Sequence, residues 1–261
     1  MITQKIYAEY LDHMGSDLTV VNAARASFGK ESTEFTDADA NLIRYLATGY
    51  RTSEWEEFLD EVVSLVELGG AREELTKLLH GYKRRAQHWA PFAHPHVQIR
   101  IQVPIFLARQ FVKHQIGGVW SEESRRYISY EPGVWFPDEW HSRPEDVKQG
   151  SGGRIDEMIP YLGAKPVFIS DVAEEVTEHS VRTYMSMVRH KVAPEEARIV
   201  LPLNTMTTVV WTGSLLFWSR VCNQRVDSHA QLAAQELGRL ISGIVAPLFP
   251  VSWEALTGVQ P

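Results

Sequence analysis

This chain of 261 residues predicts an α+β fold, and three observations carry that prediction. Val97, Ile99, Ile101 and Val103 alternate with Gln98, Arg100 and Gln102, the period of a half-buried strand. Elsewhere apolar residues recur at helical spacing over stretches too long for strands, as at Trp55, Phe58, Leu59, Val62, Val63 and Val66. No internal repeat or low-complexity linker divides the chain, so a single domain over residues 1–261 is the economical reading.

Taken in order, residues 18 to 26 read as a short helix or strand leading to Arg25 and Ser27, which read as surface when taken alone. Thr36-Asp37-Ala38-Asp39 marks a helix start, with acidic residues at the positive end and Leu42, Ile43 and Leu46 following. Ser53 and Glu56 form a capping box for the next helix, which Gly69-Gly70 stops. Another helix from about Ala71 carries Leu75, Leu78 and Leu79 and ends in Tyr82-Lys83-Arg84-Arg85, a solvated run. After the strand at 97–103, Pro104 suits a first helical position, and Ile105, Leu107, Ala108, Phe111 and Val112 give that helix an apolar side.

Tyr127 to Tyr130 can form a further strand. Residues 131–153 then hold prolines, glycines and charges without periodicity, a lid-like excursion that Trp135, Phe136 and Trp140 favour as ordered. A helix runs from Ser170 to about Lys191, with Val172, Val176, Val181, Tyr184 and Val188 toward the core. Pro194 opens another, followed by Glu195 and Glu196. Met206 to Thr212 reads as a strand, Ser214 to Asn223 as an apolar helix, and Ser228 to Ala246 as a helix burying Leu232, Leu237, Leu240 and Ile244.

Composition narrows function. The chain is 44% apolar and 23% charged, an ordinary globular balance. A net charge of -7 and a pI near 5.8 argue against a nucleic-acid binder, whose binding face carries positive charge. Cys222 stands alone, so no internal disulfide forms, in keeping with a reducing compartment. Residues 1 to 5 lack the apolar core of a signal peptide, and no apolar run reaches membrane-span length. A cytoplasmic protein with no membrane and no nucleic-acid partner is expected.

The stretch from Ala108 to Tyr127 stands apart. It gathers Arg109, Arg125, Arg126, Lys113, His114, Glu122 and Glu123 around Gly117-Gly118. Backbone N–H groups freed at such a break, beside those cations, suit an anion such as a phosphate. The competing reading is a helix end with solvated charges and local ion pairs. His88, His94 and His96 invite a metal, but two prolines lie between them and no Asp, Glu or Cys joins the cluster, so no metal ligand is assigned.

Three segments in order, Arg109 to Tyr127, Ala197 to Asn204 and Gln224 to Gln231, resemble the flavin-dependent thymidylate synthases. Ala23 to Phe28 and Pro91 to His94 add to the likeness, which leaves out roughly residues 55 to 80 and the lid. The resemblance implies a mostly antiparallel sheet flanked by long helices, assembled as a homotetramer. It also implies bound FAD, with dUMP, 5,10-methylenetetrahydrofolate and NADPH as substrates. Gln110, Glu122, Ser124, Arg125, Arg126, Arg198 and Arg225 fall where the family holds dUMP. Lys113, His114, Gln115 and Glu122 fall where it meets flavin, and His88 and His229 match histidines near flavin or folate.

The chain also departs from the family pattern. Lys113-His114-Gln115 replaces Arg-His-Arg, and eight residues rather than seven precede Ser124, placing an insertion around Gly117-Gly118. Ser121 replaces an Asn, Ala90 and Ala93 replace a Ser and a Glu, and expected flavin contacts fall on Ser214, Leu216 and Arg220.

The chemistry is consistent with the resemblance. Uracil is a poor nucleophile at C5 and must be made electron-rich, by a covalent thiolate or by stabilising charge on N3 and the carbonyl oxygens. Arg225, permanently charged and able to fork two N–H bonds to a ring edge, is the catalytic candidate. Cys222 sits among Phe217, Trp218 and Val221, which suits a buried thiol rather than a nucleophile. Two other functions remain open from sequence: a zinc hydrolase on His88, His94 and His96, and a non-catalytic nucleotide-binding module.

Overall fold

A computed structural model describes residues 1–51, 53–69, 72–83, 87–144, 150–162, 165–227 and 229–259. In chain order the elements are β1 (Ile2–Thr3), β2 (Tyr7–Met14), α1 (Asp17–Arg25), α2 (Asp37–Leu46), α3 (Ser53–Glu67), α4 (Arg72–Lys83) and α5 (Ala90–Ala93). There follow β3 (His96–Pro104), α6 (Ile105–Phe111), β4 (Gly118–Glu122), β5 (Gly133–Val134), β6 (Met158–Ile159) and β7 (Val167–Phe168). The chain closes with α7 (Ile169–Arg189), α8 (Pro194–Ala197), β8 (Met206–Ser214), α9 (Leu215–Arg225), α10 (Leu232–Val245) and α11 (Pro250–Thr257).

The central sheet is antiparallel, in the order β2-β3-β8-β4. Alternation sets its faces: Val97, Ile99, Ile101 and Val103 on β3 and Val209 and Trp211 on β8 are fully buried. Helices α9 and α10 contribute Leu215, Trp218, Val221, Leu237 and Ile241 to the same apolar core. The Trp218 indole donates to the Val97 carbonyl (3.1 Å), so a bulky ring is buried with its polar atom satisfied. Thr36 and Asp39 cap α2 reciprocally. The buried Asp17 carboxylate accepts from Val251 and Ser252 N–H (2.9 and 3.0 Å), pinning α1 to the start of α11.

Several expectations need correcting. Residues 127–130 form no strand; the additional strand is Gly118–Glu122, paired with β8 through Trp120 opposite Trp211. The helix after Pro104 ends at Phe111, leaving Lys113, His114 and Gln115 on the turn that follows. Leu232 and Leu240 on α10 are exposed, because its buried face runs through Ala234, Leu237, Gly238, Ile241 and Val245 instead. On α7, Val176 is exposed, and burial falls on Thr177, Val181 and Tyr184. Gly70, Ala71, Arg84, Arg85 and Ser228, named above, lie outside the described residues, as do residues 145–149 of the excursion.

The described part of the excursion is tied down at its start. Gly133 and Val134 pair in parallel with Ile2 and Thr3, and the Trp135 and Asn204 backbones and the Asn204 carboxamide bond one another. No helix among the described residues is long and apolar enough to cross a membrane.

Candidate active site

Arg225 is the last residue of α9, and its direction is set from the helix start, where the Ser214 hydroxyl accepts from the Phe217 N–H (3.2 Å). At the other end Arg225 leaves the sheet and meets the turn after α6. Its Nε donates to His114 Nε2 (3.0 Å), its Nη2 donates to the Gln110 carbonyl (3.3 Å), and its guanidinium carbon lies 5.4 Å from the centre of the Phe111 ring. Burial lowers the Arg225 pKa, while that of His114 falls to about 4, first through burial and then through the neighbouring guanidinium. The imidazole is therefore neutral near pH 7, and Nε2 serves as the acceptor.

Beside this pair opens a cleft of about 260 Å³ whose walls include Lys113, His114, Gln115, Arg220, Gln224 and Arg225. Three permanent or near-permanent cations line it and, among the described residues, no carboxylate does, an electrostatic setting for an anion. Of Ser214, Leu216 and Arg220, only Arg220 faces this cleft. Ser214 spends its hydroxyl on the helix cap, and Leu216 is buried in the core.

The glycines at 117 and 118 have a packing cause. A Cβ on Gly118 would lie 2.6 Å from two carbons of the Phe217 ring, and Gly117 has φ +91°, a conformation suited to glycine. Phe217 is buried against Trp211 and Trp218. The glycines let the backbone pass over that ring. The Gly118 N–H closes a turn on the Gln115 carbonyl rather than pointing at a free anion nest.

A second group of motif residues lies at the far end of β4, since Gly118 and Glu122 are four residue steps apart along the strand, about 13 Å. Glu122 accepts from Trp120 Nε1 (3.2 Å) and from the Thr207 hydroxyl on β8 (3.0 Å). Ser124 accepts from Arg126 Nε (2.9 Å), and the exposed Arg126 guanidinium lies over the Tyr127 ring, 4.9 Å from its centre. Arg125 is buried, donates to the Tyr130 carbonyl (2.7 Å), stacks on the Tyr130 ring and sits 3.8 Å from Glu123. It holds the 124–130 loop in place.

The remaining candidates stand elsewhere on the chain. Arg198 is exposed after α8, bonded to the Glu195 carbonyl. His229 pairs with Asp227 (3.0 Å). His88 packs near Tyr45, and His96 Nδ1 bonds the His94 carbonyl. Among the described residues no three His, Cys, Asp or Glu side chains gather as a metal site, so the zinc-hydrolase reading finds no geometric support. Arg25 is not free surface: it pairs with the buried Asp39. Sequence reading missed Thr207, which holds Glu122, and Phe111 as the shelf under Arg225; both looked like ordinary strand and core residues.

A rigidly held cation at a solvent-open cationic cleft, with a neutral imidazole as its acceptor, is the equipment of an enzyme that acts on an anionic ring or phosphate ester. The chain belongs to the thymidylate synthase complementing protein family, whose family model matches residues 9–251. It is 29% identical over 254 residues to the flavin-dependent thymidylate synthase of Thermosipho africanus, covering 97% of this chain and 92% of that one. The enzyme of the same name from Thermus thermophilus is 26% identical over 256 residues, covering 97% of this chain and 76% of that one. The crystal structure of the UMP/dUMP methylase PolB from Streptomyces cacaoi, bound with 5-Br dUMP, shares the fold at a TM-score of 0.71 and 22% identity. That match covers 100% of this chain and 99% of PolB.

Proposed function

We propose that this chain methylates dUMP reductively to dTMP, with 5,10-methylenetetrahydrofolate as carbon donor and NADPH as reductant through bound FAD, and without a cysteine nucleophile. The observation that carries the reading is the Arg225 guanidinium, anchored on His114 and Gln110 at the cationic cleft. Arg225 stabilises negative charge on the uracil and raises electron density at C5. A covalent thiolate is disfavoured because Cys222 is buried, its thiol donates to the Gly238 carbonyl (3.6 Å), and burial pushes its pKa up. Gln110 Oε1, a buried acceptor with no hydrogen-bond partner among the described residues, suits a ring N–H.

In this reading Glu122, Ser124, Arg126 and Arg198 join Gln110 and Arg225 in holding the nucleotide, and Arg125 shapes the loop that does so. Lys113, His114 and Gln115, with Glu122, His88 and His229, belong to the flavin and folate side. The cationic, carboxylate-free cleft fits an anionic dinucleotide. FAD supplies hydride transfer to the carbon unit when bound.

The two groups of motif residues stand at opposite ends of β4, and Ile116, Val119, Tyr127, Ile199 and Leu203 are exposed around them. Both facts support a homotetramer in which neighbouring subunits complete each site. Residues 131–153 then act as a lid. The testing experiment is to purify the protein, release and identify its flavin, and supply the three substrates. FAD release and dTMP formation are expected; a colourless protein that binds dUMP but makes no dTMP would leave only a nucleotide-binding module, and stoichiometric zinc would point to the hydrolase.

A further inference from the structure

The guanidinium of Arg225 carries five N–H bonds in a fixed plane. The Nε and Nη2 side of that plane is already occupied, by His114 Nε2 and the Gln110 carbonyl, and one of its faces is turned to the Phe111 ring. The two N–H bonds on Nη1 and one on Nη2 remain. An arginine at a helix end with nothing on Nε would turn about its own side chain, and its fork would point in many directions. His114 is itself placed by the helix end: it lies three residues beyond the last residue of α6, and its backbone N–H closes a turn on the Phe111 carbonyl (3.0 Å).

Resting on the dUMP reading above, we propose that His114 is a positioning residue: its Nε2, with the Gln110 carbonyl, holds one edge of Arg225 and turns the opposite edge toward the pyrimidine. This is a different task from touching flavin, and it explains why a neutral imidazole sits between cations. A second positive charge here would repel Arg225 from the place where it works. Because Nε2 must accept, the ring proton resides on Nδ1.

The test compares His114→Gln, whose side-chain oxygen reaches the Nε2 position, with His114→Leu, which offers no acceptor. Thermal melting confirms that each folds. In His114→Leu, kcat for dTMP per bound flavin should drop by about tenfold or more, while NADPH-driven bleaching of the flavin that stays bound remains within about twofold of wild type. His114→Gln should recover most of that loss. Equal behaviour of the two variants, or a loss that falls on flavin content in both, would overturn the proposal. Calorimetric dUMP affinity keeps the test independent of turnover. If wild type makes no dTMP, the proposed reaction fails. The positioning role then still requires weaker dUMP binding in His114→Leu and recovery in His114→Gln, and unchanged affinity in all three proteins would overturn it.

Discussion

Arg225→Lys separates charge from geometry. The lysine keeps the positive charge at the end of α9 but replaces a planar donor edge by one hydrated ammonium. In the native protein Nε reaches His114 at 3.0 Å while Nη2 reaches Gln110 at 3.3 Å, and a single Nζ cannot hold both positions and still offer a fork to a ligand. One lost hydrogen bond to a charged group costs about 1.5–3 kcal/mol. Loss of a donor aimed at developing charge slows turnover by on the order of a hundredfold or more. Affinity for dUMP should weaken by less than about tenfold, because the phosphate contacts and the charge remain. The assay follows flavin bleaching by NADPH and dTMP formation separately. Bleaching should stay near wild type, since reduction of the flavin needs no activated pyrimidine. Equal losses in both steps would assign Arg225 to the flavin or the fold, and unchanged dTMP formation would remove it from the mechanism.

Two further outcomes test the surroundings of the site. Gly118→Ala places a methyl 2.6 Å from the Phe217 ring, which Trp211 and Trp218 hold, so urea unfolding should show a loss of about 1–3 kcal/mol; no loss would refute the packing account of the two glycines. His114 has a folded pKa of about 4 against the ordinary 6.5, so in that window the unfolded chain takes up a proton that the folded one refuses, and stability falls as pH drops from 6.5 toward 4. With the imidazole half exposed to solvent screening, the effect is about 1 kcal/mol. The pH dependence of urea unfolding should be shallower in His114→Gln, and an unchanged slope would contradict the assignment.

Residue periodicity revealed most of the scaffold. β3 was legible because its two faces differ, and α9 because its run from Ser214 to Asn223 is apolar. β4 was not, since its five residues pair an exposed Val119 with polar Ser121 and Glu122, and what makes them a strand is the register supplied by β8. On α10 the helix was legible but its buried face was not, because Leu240 sits only about 60° round the helix from the buried Leu237, and packing of Gly238 against Val226 and Arg225 turns the glycine side inward instead. The same holds at the site. Arg225 stood out by its residue type, whereas its contact with His114 joins residues 111 apart in the chain and leaves no local pattern. Glu122 was legible as a charge, but the Thr207 hydroxyl that orients it comes from a strand 85 residues away.

The cysteine-free chemistry is tested most directly by one variant. Cys222→Ser removes the sole thiol of the chain, at a buried position that neither lines the cationic cleft nor touches Arg225 through a hydrogen bond of its own. Supplied with FAD, NADPH, 5,10-methylenetetrahydrofolate and dUMP, this variant is expected to form dTMP at close to the wild-type rate. A Cys222→Ser protein that folds, keeps its flavin and binds dUMP normally, yet forms no dTMP, would contradict the account.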